Sequence, residues 1–220
     1  MSFQGFLPLK WKLEGPLIHH PGNVFVVSAP SGAGKSTLAQ RLVQSVPDLI
    51  FSISFTTRKP RPGEVDGRDY FFIDEDRFDA MVREGGFVEW VQVYGHRYGT
   101  GKEWLNGVLA TGLDVLLDIE TTGALNLRRA IPDARMIFIL PPSAAALEQR
   151  LRSRGKDSDE QIGIRMRHAR HEMELYHAYD YLVMNDDLEL AYRQFESIVY
   201  ATRTSRERMA PVAQRILEGF

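Results

Sequence analysis

The stretch "SAPSGAGKST" sets Lys35 and Ser36 directly after Gly34, with Gly32 two positions earlier. A loop of this composition can curl its backbone N–H groups around an anion at the start of a helix. The lysine then supplies a cation for the outer phosphates of a nucleotide, and the serine hydroxyl a ligand for Mg²⁺. The pattern G-x-x-x-x-G-K-[ST] asks for glycine where this chain has Ala29. Pro30 follows it, and a residue before proline is pushed to extended backbone, which alanine adopts without strain. Glycine is needed where φ is positive or where backbone must approach a ligand, and Gly32 and Gly34 keep those places. The candidate phosphate loop thus comprises Ala29, Pro30, Ser31, Gly32, Ala33, Gly34, Lys35, Ser36 and Thr37.

Two further groups of residues could serve such a loop. In "DVLLDIE", Asp118 follows an apolar run and suits a Mg²⁺-supporting acid at the end of a second core strand. Asp114 starts that run and is expected to face solvent. In "SISFTTRKPRPGEVDGRDYFF", Arg58 and Arg61 flank Pro60 in a loop stiffened by prolines. Two guanidinium forks held there suit a dianionic phosphate, and Tyr70 could add a phenolic donor.

Short apolar runs alternate with helical patterns, which argues for an α/β domain with a largely parallel sheet. Strands are expected at Val24–Ser28, 115–119, 136–140 and Tyr181–Met184, with helices at about 35–44, 121–129, 143–152 and 188–206. Right-handed crossovers should connect them. From 50 to about 98 the chain is richer in Pro, Gly, charge and aromatics, and alternates as a strand at Phe87–Val93, so it reads as an inserted subdomain. Seven of the residues from Arg150 to Arg170 are Arg or Lys, and the stretch from Gly155 begins with the turn-like "GKDSDE" and continues as a charged helix that Asp157 to Asp159 could cap. The first 21 residues read as an extension. A net charge of −2 gives no global pull toward nucleic acid or acidic membranes. The chain has no cysteine, which excludes disulfides and thiolate chemistry and fits a cytoplasmic setting, and no apolar run reaches membrane-span length. The six histidines show no convincing metal spacing.

These segments, with "FVEWVQVYGHRYGT", "LLDIETTGA", "LEQRLRSRGKDSDEQIGIRM" and "YDYLVMNDDLELA", resemble guanylate kinases over about residues 22–206. The resemblance implies a P-loop three-layer α/β fold with a mostly parallel central sheet. Its core would be 22–49, 101–150 and 171–220, with a mixed GMP-binding insertion at 50–100 and a small helical lid at 151–170. It implies transfer of the γ-phosphoryl group of ATP to GMP, and to dGMP, giving ADP and GDP for purine recycling, with Mg²⁺ as cofactor. Arg58, Arg61, Tyr70 and Tyr98 would hold the GMP phosphate, while Ser54, Glu89 and Thr100 would read guanine. A carboxylate at Glu89 can accept from guanine N1–H and the 2-amino group together, whereas adenine would leave it unpaired.

On the donor side the resemblance places Arg150, Arg154 and Arg165 around the ATP phosphates and Asn185 near the adenine. Lys35, Arg58, Arg154 and Arg165 are the expected catalytic residues. Ser36 and Asp118 are the expected Mg²⁺ supports, partly through water. Two departures stand out: Glu120 and Thr122 replace the family's aspartate and its Gln or Glu, so Glu120 carries its GMP-binding role less directly, and His96-Arg97 is unusual. GMP and ATP are the expected partners, without nucleic acid or membrane, and self-association stays open. A catalytically dead scaffold module of the same fold is the competing reading. Retention of Lys35, Ser36 and the lid arginines, and the lack of room for a second domain, weigh against it. Ser54, Glu89 and Thr100 weigh against a kinase for another acceptor.

Overall fold

In chain order, β1 (Val24–Ser28), α1 (Lys35–Ser45), β2 (Leu49–Phe51), β3 (Phe55–Thr56), β4 (Phe71–Phe72), α2 (Glu75–Arg83), β5 (Phe87–Val93), β6 (His96–Gly101) and α3 (Lys102–Ala110) precede the second β-α units of the core. These are β7 (Asp114–Asp118), α4 (Thr121–Ala130), β8 (Arg135–Leu140), α5 (Ala144–Ser153), α6 (Asp159–Glu174), β9 (Tyr181–Met184), α7 (Leu188–Arg203) and α8 (Arg206–Leu217). This computed structural model describes residues 21–220 except 94, 154 and 156. The reading of residues 1–20 as an extension therefore lies outside the described residues.

Five strands form a parallel sheet in the order β2-β7-β1-β8-β9. A strand buried on both faces reads as a near-continuous apolar run, and β1, apolar from Val24 to Val27, is buried along its whole length. Its alternate residues serve two cores. Val24 and Val26 join Val115, Leu117, Met136 and Phe138 in packing against Trp104, Leu105, Ala124 and Leu127 of α3 and α4. Phe25 and Val27 join Leu116, Ile137 and Val183 against Leu38 and Leu42 of α1 and Phe195 and Val199 of α7. The result is the expected three-layer arrangement, which carries the ends of β1 and β7 to one edge.

The insertion forms a separate sheet, β4-β3-β6-β5, with β3 and β4 parallel and the other pairs antiparallel. Phe55, Phe71, Phe78 and Phe87 pack beneath it, with ring centroids 4.5 to 5.8 Å apart for the contacting pairs. A bulge between Phe87 and Glu89 sets Glu89 opposite Thr100, the usual way in which a bulge re-aims a side chain. The unusual Arg97 belongs to this fold: it pairs with Asp79 and Glu75 of α2 and lies 4.6 Å over the Phe78 ring.

Two expectations need correction. Asp114 does not face solvent, because it is buried and accepts hydrogen bonds from the Asn23 amide at 2.7 Å and from Arg203 Nε at 2.8 Å. The last helix does not run to 206: α7 ends at Arg203, and a separate α8 begins after Ser205. The charged helix α6 is capped by Ser158, whose hydroxyl accepts from the Gln161 N–H while the Gln161 side chain accepts from the Ser158 N–H.

Candidate active site

The phosphate loop leaves β1 and closes as α1 begins. Gly32 and Gly34 have φ values of 98° and 94°, a region that side chains with a Cβ rarely adopt, so both glycines are required by the loop's shape. The loop is braced from below. Asn185, buried after β9, donates from its amide to the Ala33 carbonyl at 2.7 Å. Arg150 on α5 donates to the carbonyls of Asn185 at 2.8 Å and Ala33 at 3.4 Å. At the loop's tip, Arg165 of α6 donates to the Ser31 hydroxyl and pairs with Asp157. Inside the loop lies a hollow of about 260 Å³ lined by Gly32, Gly34, Lys35, Ser36, Glu120 and Glu172, among others.

Lys35 reaches across to β7, where its ammonium pairs with Asp118 and lies 3.4 Å from the Ile119 carbonyl. Lys35, Asp118 and Glu120 also line a second, larger cleft of about 350 Å³. The hollow and the cleft therefore meet at Lys35 and Glu120.

The far wall of this cleft is the inserted sheet. Ser54, Arg58, Arg61, Tyr70, Glu89 and Tyr98 all line it. The Arg58 guanidinium is 5.3 Å from the centre of the Tyr70 ring and forms a bidentate pair with Glu64 at 2.9 and 2.8 Å. Glu64 also accepts from the Arg61 N–H at 2.7 Å, so one carboxylate fixes both the fork and the loop that bears the second arginine. Arg58 in turn holds the Glu64 carboxyl below its ordinary range.

At the opposite end, Thr100 donates to Glu89 Oε1 at 2.8 Å. Glu89 Oε2 is buried with no hydrogen-bond partner. Burial pushes this carboxyl up to about 7. A buried polar atom without a partner is costly, and its natural explanation is a ligand that would donate to it.

The structure thus gathers nearly every residue singled out from the sequence around two connected hollows. Arg154 lies outside the described residues, and His168 and His171 are exposed on α6 and line neither hollow. Two residues escaped the sequence reading. Glu64 could have been found, because it closes the quoted "RKPRPGE" run three residues after Arg61. Glu172 carried no local signal, since its partners are distant in the chain.

The family model described as guanylate kinase matches residues 22–202. A guanylate kinase of Bradyrhizobium diazoefficiens is 50% identical over 192 residues, covering 87% of this chain and 88% of that protein. One from Escherichia coli is 49% identical over 196 residues, with 88% and 93% covered. The crystal structure of guanylate kinase from Anaplasma phagocytophilum superposes with a TM-score of 0.69 at 30% identity, covering 87% of this chain and 92% of that one.

Proposed function

The chain belongs to the guanylate kinase family, an ATP:GMP phosphotransferase group, and from that premise we propose how its residues divide the transfer of a phosphoryl group from ATP to GMP. The observation that carries the reading is the unpartnered Oε2 of Glu89, at the other end of one cleft from Arg58 and Arg61. A nucleotide with donors on its base edge and a dianionic phosphate fits both ends at once.

Glu89 accepts from guanine N1–H and the 2-amino group, while Thr100 holds the carboxylate in place and Ser54 lines the base pocket. Arg58, Arg61, Tyr70 and Tyr98 hold the acceptor phosphate, with Glu64 orienting Arg58 for bidentate contact. Glu120, at the junction of the two hollows, stands near the acceptor nucleotide and Lys35. Phosphoryl transfer demands alignment and charge neutralisation more than proton chemistry. The loop N–H groups of 31–36 and Lys35 hold the donor phosphates, Arg165 and Arg154 neutralise the transferring group, and Arg150 and Asn185 keep the loop in shape beneath the nucleotide. The attacking oxygen of GMP is a phosphate oxygen already ionised, so no general base is needed.

Mg²⁺ fits the residues present. Ser36, lining the donor hollow, supplies a hydroxyl, and Asp118, lining the cleft beside Lys35, a carboxylate, both hard oxygen donors. Among the described residues no group of three or more His, Asp or Glu could hold a metal unaided. That suits an ion shared with nucleotide phosphates, as Mg²⁺ commonly is. When bound it would neutralise phosphate charge.

Activity with dGMP follows from the same reading, because the named contacts go to base and phosphate. No helix among the described residues is long and apolar enough to cross a membrane, and the reading places the enzyme in the cytoplasm with its substrates. The test is ADP release with ATP-Mg²⁺ and each of GMP, dGMP, AMP, CMP and UMP. Turnover should be confined to GMP and dGMP; equal rates with AMP would end the guanine assignment.

A further inference from the structure

Glu172 sits where an acid is least expected. It lies in the last turn of α6, at the negative end of the helix dipole, which disfavours a carboxylate. It also lines the hollow of the phosphate loop, built to attract anions, alongside Lys35, Ser36 and Glu120. Burial and the neighbouring Glu120 carboxylate push its carboxyl up, against the smaller opposing pull of the Lys35 ammonium, the Ser31 backbone N–H and His168. Two turns earlier on the same helix, Arg165 donates to the Ser31 hydroxyl. One helix thus reaches the loop at two points, through Arg165 on the Ser31 hydroxyl and through Glu172 in the hollow.

We propose that Glu172 is a resident counter-anion of the phosphate loop: its carboxylate lines the hollow beside Lys35 in a place that nucleotide phosphates claim, so donor binding must displace it and shift α6. The idea rests on the loop being the ATP-phosphate site. Two carboxylates, Glu120 and Glu172, face the hollow into which a polyanion must come. At a few ångströms in a partly buried site, like charges cost several-fold in affinity or more. Glu172 therefore weakens donor binding and makes the arrival of phosphate mechanically felt by the helix that bears Arg165. Arg165 would then leave the Ser31 hydroxyl as phosphate arrives, freed for the transferring group.

Glu172→Gln isolates the charge, since the amide keeps the size and shape of the side chain. Calorimetric titration of the full-length chain with ADP should show binding about tenfold tighter in this variant. In steady state the KM for ATP should fall while the KM for GMP stays where it was, a split that general loosening of the fold would not produce. Glu172→Ala should move the KM for ATP in the same direction. Unchanged or weaker ADP binding by Glu172→Gln, with the unaltered protein binding normally, overturns the proposal. Failure of the unaltered protein to bind ADP would overturn the assignment of the loop itself, and the proposal with it.

Discussion

Burial raises the Glu89 carboxyl from an ordinary 4.5 to about 7, because one oxygen has only Thr100 and the other has no partner. Below about pH 4.5 the folded and unfolded chains both carry the proton, and the site costs nothing. As pH rises from there to about 7 the unfolded chain releases its proton first, so stability falls; above 7 the deficit is constant at about 3 kcal/mol. Glu89→Gln should therefore raise the melting temperature at pH 8 by several degrees, and the gain should vanish at pH 4.5. The same substitution should erase discrimination of GMP against AMP, leaving the KM for ATP nearly unchanged. In the unaltered enzyme, GMP needs the ionised carboxylate, so its KM should fall as pH rises through about 7 beyond what titration of the GMP phosphate explains. Steady-state KM for GMP from pH 6 to 8, in both proteins, separates the two contributions. A fold-stability cost that coincides with the base-reading residue is what a site kept for recognition should show.

At the scale of elements, the clamp on Asp114 shows why some positions resist reading from sequence. Its place at the start of an apolar run suggested an exposed strand end, but Asn23 and Arg203 converge on it from far along the chain. Arg203 also donates to the Pro47 carbonyl at 2.7 Å, so the start of β7, the approach to β1 and the end of α7 meet at one carboxylate. Asp114→Ala would leave Arg203 largely buried and half-satisfied, a loss of about 3 kcal/mol by analogy with broken buried pairs. Urea unfolding followed by circular dichroism should show that loss, and Asp114→Asn, which keeps an acceptor, should lose less. By contrast the phosphate loop was legible because its requirements are local: a strand, two glycines at positive φ, and a helix start within a dozen residues. The limits of β1, β5 and β9 were legible for the same reason, through apolar runs and alternation. The division of α7 from α8 was not, since α8 has no buried residues to give it a periodic stripe. Glu172 stayed invisible because only folding brings α6 against Ser31.

Across the whole molecule, the proposed acceptor cleft and donor hollow meet at Lys35 and Glu120. The acceptor end is built on the inserted sheet and the donor end on the parallel sheet, so binding at each should be separable by mutation. A ligand that binds only the folded chain stabilises it by about 2.7 kcal/mol at a hundred times its Kd. For a chain of this size that corresponds to a melting-temperature rise of roughly 5–10 °C. Saturating GMP and saturating ADP should each produce such a rise in thermal-shift measurements on the unaltered protein. Lys35→Ala should reduce the ADP shift sharply, since the loop loses its cation, while the GMP shift largely persists on Arg58, Arg61 and Glu89. Glu89→Gln should do the reverse. Equal loss of both shifts in either variant would mean that the two ends fold as one binding unit, contrary to the separate sheets that carry them.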